Sequence, residues 1–214
     1  MSVESSITLE LEAFELLEKA VEKGEDIWQS MCDLGIAARQ DMDRGRFTIG
    51  DGALLVSKKY GENRIGAFAA EIGVREIGTN RGPRVETYLA SVGLPPGNPW
   101  CAAFVAWCIQ QAALRRKATV EWPRTGYCPS IAAWAKRMGK ILTEPQPGQV
   151  FLLRLSVGGT TRFAHTGIVE RVQGEILHTI EGNTNERGGR EGIGVFERTR
   201  TLGPDLVFIV VEPD

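Results

Sequence analysis

The 214-residue chain is predicted to be an α+β protein in which helices come first and an antiparallel sheet follows. Three observations predict it. The apolar period is helical up to the break at Pro145-Gln146-Pro147-Gly148 and is two thereafter. Residues 100–114, WCAAFVAWCIQQAAL, are apolar nearly all round, which marks a helix buried in a core. Five alternating segments separated by turn residues then follow one another.

Taken in order, residues 8–23 read as a helix. Leu9, Ala13, Leu16, Leu17 and Ala20 recur at helical spacing, Thr8 can cap it, and Gly24 stands where a helix-ending glycine belongs. Asp26 to about Met42 fits a second helix. Ile49–Tyr60 and Glu62–Ile72 fit two shorter ones, punctuated by Gly50, Gly52, Gly61 and Gly73. Residues 1–73 are therefore expected to form a small all-helical unit, and 74–214 a second domain. In that domain Pro83–Val92 fits a helix with proline near its start, and Pro95-Pro96-Gly97 is a firm break. The buried helix runs from Pro99 to about Leu114, and a short one covers Ser130–Met138. The five expected strands are Gln149–Leu155, Arg162–Val172, Glu175–Glu181, Gly194–Arg200 and Leu206–Glu212.

Composition narrows the function. With 43% apolar and 24% charged residues the chain can bury a full core and is not globally disordered. No run approaches the ~18 apolar residues of a membrane span. Met1 to Glu18 carries five glutamates and no early basic residue, which is not a secretory signal. The expectation is synthesis in a reducing cytoplasm, with Cys32, Cys101, Cys108 and Cys128 mostly free thiols. No C-x-x-C pair exists and only His165 and His178 are available as further soft ligands, so no structural zinc site is expected. The net charge of −2 argues against a general nucleic-acid binder. It averages two unlike parts: residues 1–73 sum to −6 and 74–214 to +4.

A nucleophilic cysteine needs a stabilised thiolate, a neighbouring imidazole and a polar group to orient that imidazole. Cys101 meets the first need, because it follows Asn98-Pro99-Trp100 and opens the buried helix, where free N–H groups and the macrodipole favour negative charge. Core packing explains Cys108, two turns further in. Cys32 lies mid-helix, and Cys128 in a loop before a proline. His165 opens the strand His-Thr-Gly-Ile-Val. Strand parity puts Glu181 and Asn183 on one face and His178 on the other, so His178 reads as structural. A three-residue loop, Val172-Gln173-Gly174, with Gly174 left-handed, pairs Arg171 with Glu175. That register places His165 directly opposite Glu181, with Asn183 one step along the same face.

Four blocks in order, Asn-Pro-Trp-Cys-Ala-Ala-Phe-Val-Ala-Trp-Cys at 98–108, Gln-Pro-Gly-Gln-Val at 146–150, Ala-His-Thr-Gly-Ile-Val at 164–169 and Ile-Glu-Gly-Asn-Thr-Asn at 180–185, resemble the CHAP family of cysteine amidases and peptidases. The resemblance covers about 74–212. It implies a papain-like α+β fold, with the nucleophile helix packed on a five-stranded antiparallel sheet. It implies hydrolysis of amide bonds in peptidoglycan, either N-acetylmuramoyl-L-alanine bonds or peptide bonds of the stem and cross-bridge, through a thioester. By the same resemblance Cys101 is the nucleophile, His165 the general base and acid, Glu181 the group orienting the imidazole and Asn183 a second polar residue at that corner. The Cys101 backbone N–H is the expected oxyanion donor. Some members bind calcium through an Asp-rich lead-in, but residues 74–99 contain no aspartate, so no metal or other cofactor is expected.

Trp100, Trp122, Tyr127 and Trp134 lie on or near segments that should border the cleft, the first three being candidates to stack on substrate, with hydrophobic packing beneath loops as the simpler reading of each. Arg81, Arg84, Arg124 and Arg162 are candidates to meet stem-peptide carboxylates, with a solvated surface role as the simpler reading of each. Residues 67–74 faintly resemble the turn of a helix-turn-helix, but the −6 charge of 1–73 and the Gly78, Gly82 and Pro83 that follow argue against DNA binding. The first unit is instead expected to be a cap or a docking surface for a delivery or immunity protein. The expected partner of the second domain is peptidoglycan or its stem peptides, reached from a bacterial or phage cytoplasm by lysis or secretion. The alternative is an intracellular cysteine amidase or peptidase that acts on a peptide conjugate or protein in a toxin or defence system.

Overall fold

The computed structural model describes residues 64–185 and 192–211, together with the backbone of Ala38–Asp41 and Arg46–Ile49. The chain divides into two compact units, Met1–Gly61 and Glu62–Asp214. In the first, strands β1 (Ala38–Asp41) and β2 (Arg46–Ile49) pair antiparallel, with Ala38 opposite Ile49 and Asp41 opposite Arg46. This corrects the all-helical expectation, since the end of the helix predicted over 26–42 is a strand. The sequence accounts for it: Phe47-Thr48-Ile49 is β-branched and aromatic, and Asp43 and Gly45 between the strands are turn formers. The helix predicted over 8–23, and 26–37 and 50–60 of the next two, lie outside the described residues.

The break between units falls at 61/62 rather than 73/74, because helix α1 (Arg64–Ala69) belongs to the second unit. Phe68 meets Phe104 edge-on with centroids 5.3 Å apart, and Arg64 Nη1 donates to the Gly148 carbonyl at 2.8 Å. Just after α1, Glu71 accepts a two-pronged hydrogen bond from Arg84 of helix α2 (Pro83–Ser91), both contacts at 2.7 Å, and a third from the Tyr88 hydroxyl. Burial, then the Glu71 charge, raise the Tyr88 hydroxyl well above its usual range, so it stays a donor. Tyr88 stacks on Trp100 at 5.6 Å, and Trp100 Nε1 donates to Glu76 at 2.6 Å. This network fixes the residue immediately before helix α3 (Cys101–Arg115).

Helix α3 is buried at every residue from Cys101 to Ile109, as its all-round apolar character requires. Helix α4 (Cys128–Arg137) follows, and the sheet completes the unit. The sheet has six strands rather than five. The addition is the two-residue β3 (Ile141–Leu142), and the others are β4 (Val150–Val157), β5 (Thr160–Gln173), β6 (Ile176–Thr184), β7 (Gly194–Thr201) and β8 (Leu206–Ile209). Their order is β3-β8-β4-β5-β6-β7, and each neighbouring pair is antiparallel. The α+β class therefore stands. Gly182 of β6 lets α3 approach the sheet: a Cβ there would lie 2.6 Å from the Phe104 ring and 2.7 Å from that of Trp100.

The β5–β6 register differs from the expected one. The turn is the two-residue Gly174-Glu175, with Gln173 opposite Ile176 and Gly174 left-handed at φ 59°. Continued unbroken, that pairing would put His165 and Glu181 on opposite faces of the sheet. A bulge at Glu170, between the Val169–Thr179 and Arg171–His178 pairs, restores the parity. Ile168 then faces Ile180, and Gly167 rather than His165 falls opposite Glu181. A Cβ at Gly167 would stand 2.8 Å from Glu181 Cγ and 2.9 Å from the Phe151 ring. The missing side chain leaves Glu181 free to lean diagonally across to His165.

Glu71→Ala would leave the Arg84 charge buried without its carboxylate. It is expected to cost about 3–5 kcal/mol of stability in urea unfolding; a loss below about 1 kcal/mol would show that the pair does not anchor the start of α3.

Candidate active site

Cys101 is the first residue of α3, and its side chain reaches a cavity of about 390 Å³ that is also lined by Asn98, Arg124, Tyr127, Cys128, Arg162 and Asn183. The first-turn N–H groups of a helix have no intrahelical acceptor. The Ala102 N–H is one of them and favours the Cys101 thiolate.

His165, at the centre of β5, is 1% exposed. Its Nε2 lies 2.7 Å from Glu181 Oε2. Its Nδ1 is buried and makes no hydrogen bond among the described residues, and the Cys101 thiol acts on the imidazole. Glu181 is fully buried on β6 and saturated. Thr179 Oγ1 donates to Oε1 at 2.6 Å, Arg200 Nε to Oε1 at 2.6 Å and Arg200 Nη2 to Oε2 at 2.5 Å. The fork of Arg200 is the geometry that best holds a carboxylate plane. Arg200 itself lies over the Phe151 ring at 5.4 Å.

The charges alternate along this chain: thiolate, imidazolium, carboxylate, guanidinium. The hydrogen bond with Cys128 lowers the Cys101 thiol well below its usual range; burial opposes the shift, and His165 and the Ala102 N–H reinforce it. Burial alone would make His165 neutral. Its hydrogen bonds to Cys101 and Glu181, and their charges, override that and raise it from 6.5 to about 9. Burial likewise opposes ionisation of Glu181, yet His165 and then Arg200 hold it down at about 2. Because the histidine is raised on folding, the stability it adds is full below pH 6.5 and is lost as pH rises through about 9. The glutamate is lowered, so its share is present above pH 4.5 and is lost as pH falls toward about 2.

Asn183 lines the cavity but does not hold the imidazole. It sits at the β6–β7 irregularity with φ 54°, a left-handed conformation that asparagine tolerates, and its Oδ1 accepts from the Gly192 N–H at 3.4 Å. Of the aromatic candidates, Tyr127 is 51% exposed at the cavity. Trp100 is 0% exposed and locked between Tyr88 and Glu76, so it presents no face to a ligand. Trp122 packs against Trp134 at 5.3 Å and borders a separate small cavity. Arg84 is committed to Glu71, and Arg81 is exposed outside the cavity lining. Arg162 and Arg124 do line the cavity: Arg162 Nη1 donates to the Tyr127 hydroxyl at 3.3 Å, and Arg124 Nε to the Ser91 carbonyl at 2.9 Å. His178 pairs with Thr199 and Arg171, away from the site, in keeping with its strand parity.

Two residues of the site escaped the sequence reading. Arg200 ends the strand predicted over Gly194–Arg200 and belongs to none of the four motif blocks. The available signal was parity, since Phe196 pairs with Glu181 and Arg200 shares its face two pleats on. Cys128 was read as a loop cysteine, but it is the first residue of α4 and lies 3.9 Å, sulfur to sulfur, from Cys101. The signal there was Pro129, a residue favoured in the first turn of a helix.

A buried helix that starts at Cys101 and packs on an antiparallel sheet carrying His165 and Glu181 on adjacent strands defines the class as an α+β, papain-like fold. Residues 93–183 match the family model of the CHAP domain, a span that holds Cys101, His165 and Glu181. No curated protein matches it. Among solved structures it is similar to the crystal structure of Ly7917, with 17% identity over 69% of this chain and 60% of that one and a TM-score of 0.41. It is also similar to the crystal structure of Ly7917 with the hydrolyzing product of MDP, with 19% identity over 51% of this chain and 52% of that one and a TM-score of 0.33. The chain thus spans about 60% of the length of the first of these. Among the described residues no helix is long and apolar enough to cross a membrane.

Iodoacetamide should alkylate Cys101 with a half-maximal rate at a pH well below the ordinary thiol value of about 8.5. His165→Ala should move that midpoint upward. A wild-type midpoint at the ordinary value, located on Cys101 by peptide mapping, would contradict the ion pair.

Proposed function

We propose that the protein is a peptidoglycan hydrolase that cleaves an amide bond through a Cys101 thioester. The observation that carries this is the helix-start thiol of Cys101 set against the buried His165–Glu181–Arg200 chain at the wall of an open cavity. In this reading the thiolate attacks the amide carbonyl, and the Cys101 backbone N–H meets the developing oxyanion. The imidazolium, already protonated at neutral pH, gives its proton to the leaving amine. The neutral imidazole that results takes a proton from water, which hydrolyses the thioester and restores the starting pair. Glu181 does not touch substrate. It keeps Nε2 bonded and so fixes the ring, and Arg200 and Thr179 keep Glu181 in place.

The CHAP match supports amide hydrolysis as the reaction class. The cavity supports the choice of substrate. Among the described residues Arg124 and Arg162 line it and no carboxylate does, which suits a peptide that carries free carboxylates, as a peptidoglycan stem does. Tyr127, exposed and bonded to Arg162, offers the aromatic edge of that surface.

Incubation of the purified protein with sacculi should release new amino groups. New N-terminal L-alanine would identify the muramoyl bond, and other new amino groups would identify peptide bonds. Cys101→Ala and His165→Ala should each lower the rate by at least about 10²-fold; Cys101→Ala should keep the unfolding midpoint near that of the wild type, whereas His165→Ala should lower it, since it takes away a partner of the buried Glu181. The rate should fall on the alkaline side as pH passes about 9, where the imidazolium is lost. Normal turnover by Cys101→Ala would overturn the assignment.

A further inference from the structure

Cys128 is a second thiol inside the proposed active site, and the fold puts it there deliberately in one respect: two helix starts, those of α3 and α4, converge with a cysteine as the first residue of each. The two sulfurs lie 3.9 Å apart, both residues are buried among protein atoms, and both line the same cavity, through which a small molecule can reach them. The third described cysteine, Cys108, is buried on α3 and lines no described cavity.

We propose that Cys101 and Cys128 form a reversible oxidation site, in which a hydroperoxide converts the pair to a disulfide that silences the nucleophile and protects it from irreversible oxidation. The inactivation half of this statement rests on Cys101 being the nucleophile. The covalent half does not.

The chemistry balances with hydrogen peroxide as the oxidant. The Cys101 thiolate attacks one peroxide oxygen; the S–O bond forms, the O–O bond breaks and hydroxide leaves, so that sulfur is oxidised by two electrons and the peroxide reduced. The Cys128 sulfur then attacks the sulfenic sulfur of Cys101. The S–S bond forms, the S–O bond breaks, and the departing oxygen takes the Cys128 proton and leaves as water. A disulfide needs the sulfurs at about 2.05 Å, which each side chain can reach by moving about 1 Å, on the order of a modest χ1 rotation. The reduced pair is poised for this order of events. Cys101 is the sulfur held as thiolate, while the hydrogen bond to Cys101, then burial and the Cys101 charge, keep Cys128 protonated. A dithiol reductant reverses the step by thiol–disulfide exchange.

The test treats the reduced full-length protein with one to a few equivalents of hydrogen peroxide and reads intact mass, free thiols and peptide maps, then repeats the readings after dithiothreitol. The expected result is a loss of two hydrogens and two thiols, with Cys101- and Cys128-containing peptides linked, and full reversal on reduction. Hydrolysis of sacculi should fall and recover in step. In Cys128→Ser the same treatment should give sulfinic or sulfonic acid on Cys101, with the added oxygens not removed by dithiothreitol. A linked pair in wild type with no sacculus hydrolysis at any stage would count against the hydrolase reading and leave the oxidation site supported. Oxygen addition at Cys101 in wild type without any Cys101–Cys128 link, or a link that joins Cys32 or Cys108 instead, would overturn the proposal. Should Cys128→Ser fail to fold, the wild-type mass and peptide map decide alone.

Discussion

The second unit depends on one buried carboxylate. Glu181 is fully enclosed, and a lone carboxylate there would cost several kcal/mol in lost hydration. Its oxygens instead receive Thr179, two prongs of Arg200 and the His165 imidazole. This cluster turns the penalty into an organising force. The carboxylate stays ionised, the imidazole beside it stays protonated, and the thiol beyond the imidazole finds a positive neighbour. Each charge is tolerable because the next has the opposite sign. Removing one member would expose its neighbour to uncompensated burial, so the site is cooperative by construction.

Two frameworks hold this chain in register. On the sheet side, the bulge at Glu170 sets which face His165 occupies, and Gly167 clears the diagonal between His165 and Glu181. On the helix side, the Glu71–Arg84–Tyr88 network and the stacked Trp100 fix where α3 begins, and hence where Cys101 points its sulfur. The close approach of α3 to the sheet at Gly182 joins the two frameworks. The residues that do chemistry are few, while those that aim them are spread over α1, α2, β5, β6 and β7.

Local sequence carries some of these features and not others. The α3 helix was readable because apolar character on every side has few other meanings, and the cysteine at its start follows from a proline two residues earlier. The face shared by His165 and Glu181 was readable from parity, but the route to it was not: the expected three-residue loop and the observed two-residue turn with a bulge give the same parity by different means. A bulge at Glu170 leaves no trace in a hydrophobic pattern because one extra residue changes phase only after the fact. Arg200 and Cys128 escaped for a related reason, since both act through partners far along the chain. The boundary of the second unit was misplaced because Gly73 is a strong local break, whereas α1 is tied to the second unit by Phe68 on Phe104 and Arg64 on Gly148. The strands at 38–41 and 46–49 show the same limit, as a helical period fitted across a turn looks continuous until the pairing is seen.

The central claim is that His165 rests as an imidazolium between a thiolate and a carboxylate. Its most direct test is an NMR titration of the His165 ring in the reduced protein between pH 5 and 10, assigned by comparison with a His165→Gln variant. The account predicts a ring that is doubly protonated at pH 7 and loses its proton near pH 9. A His165 transition at about 6.5, the value of an ordinary histidine, would contradict it.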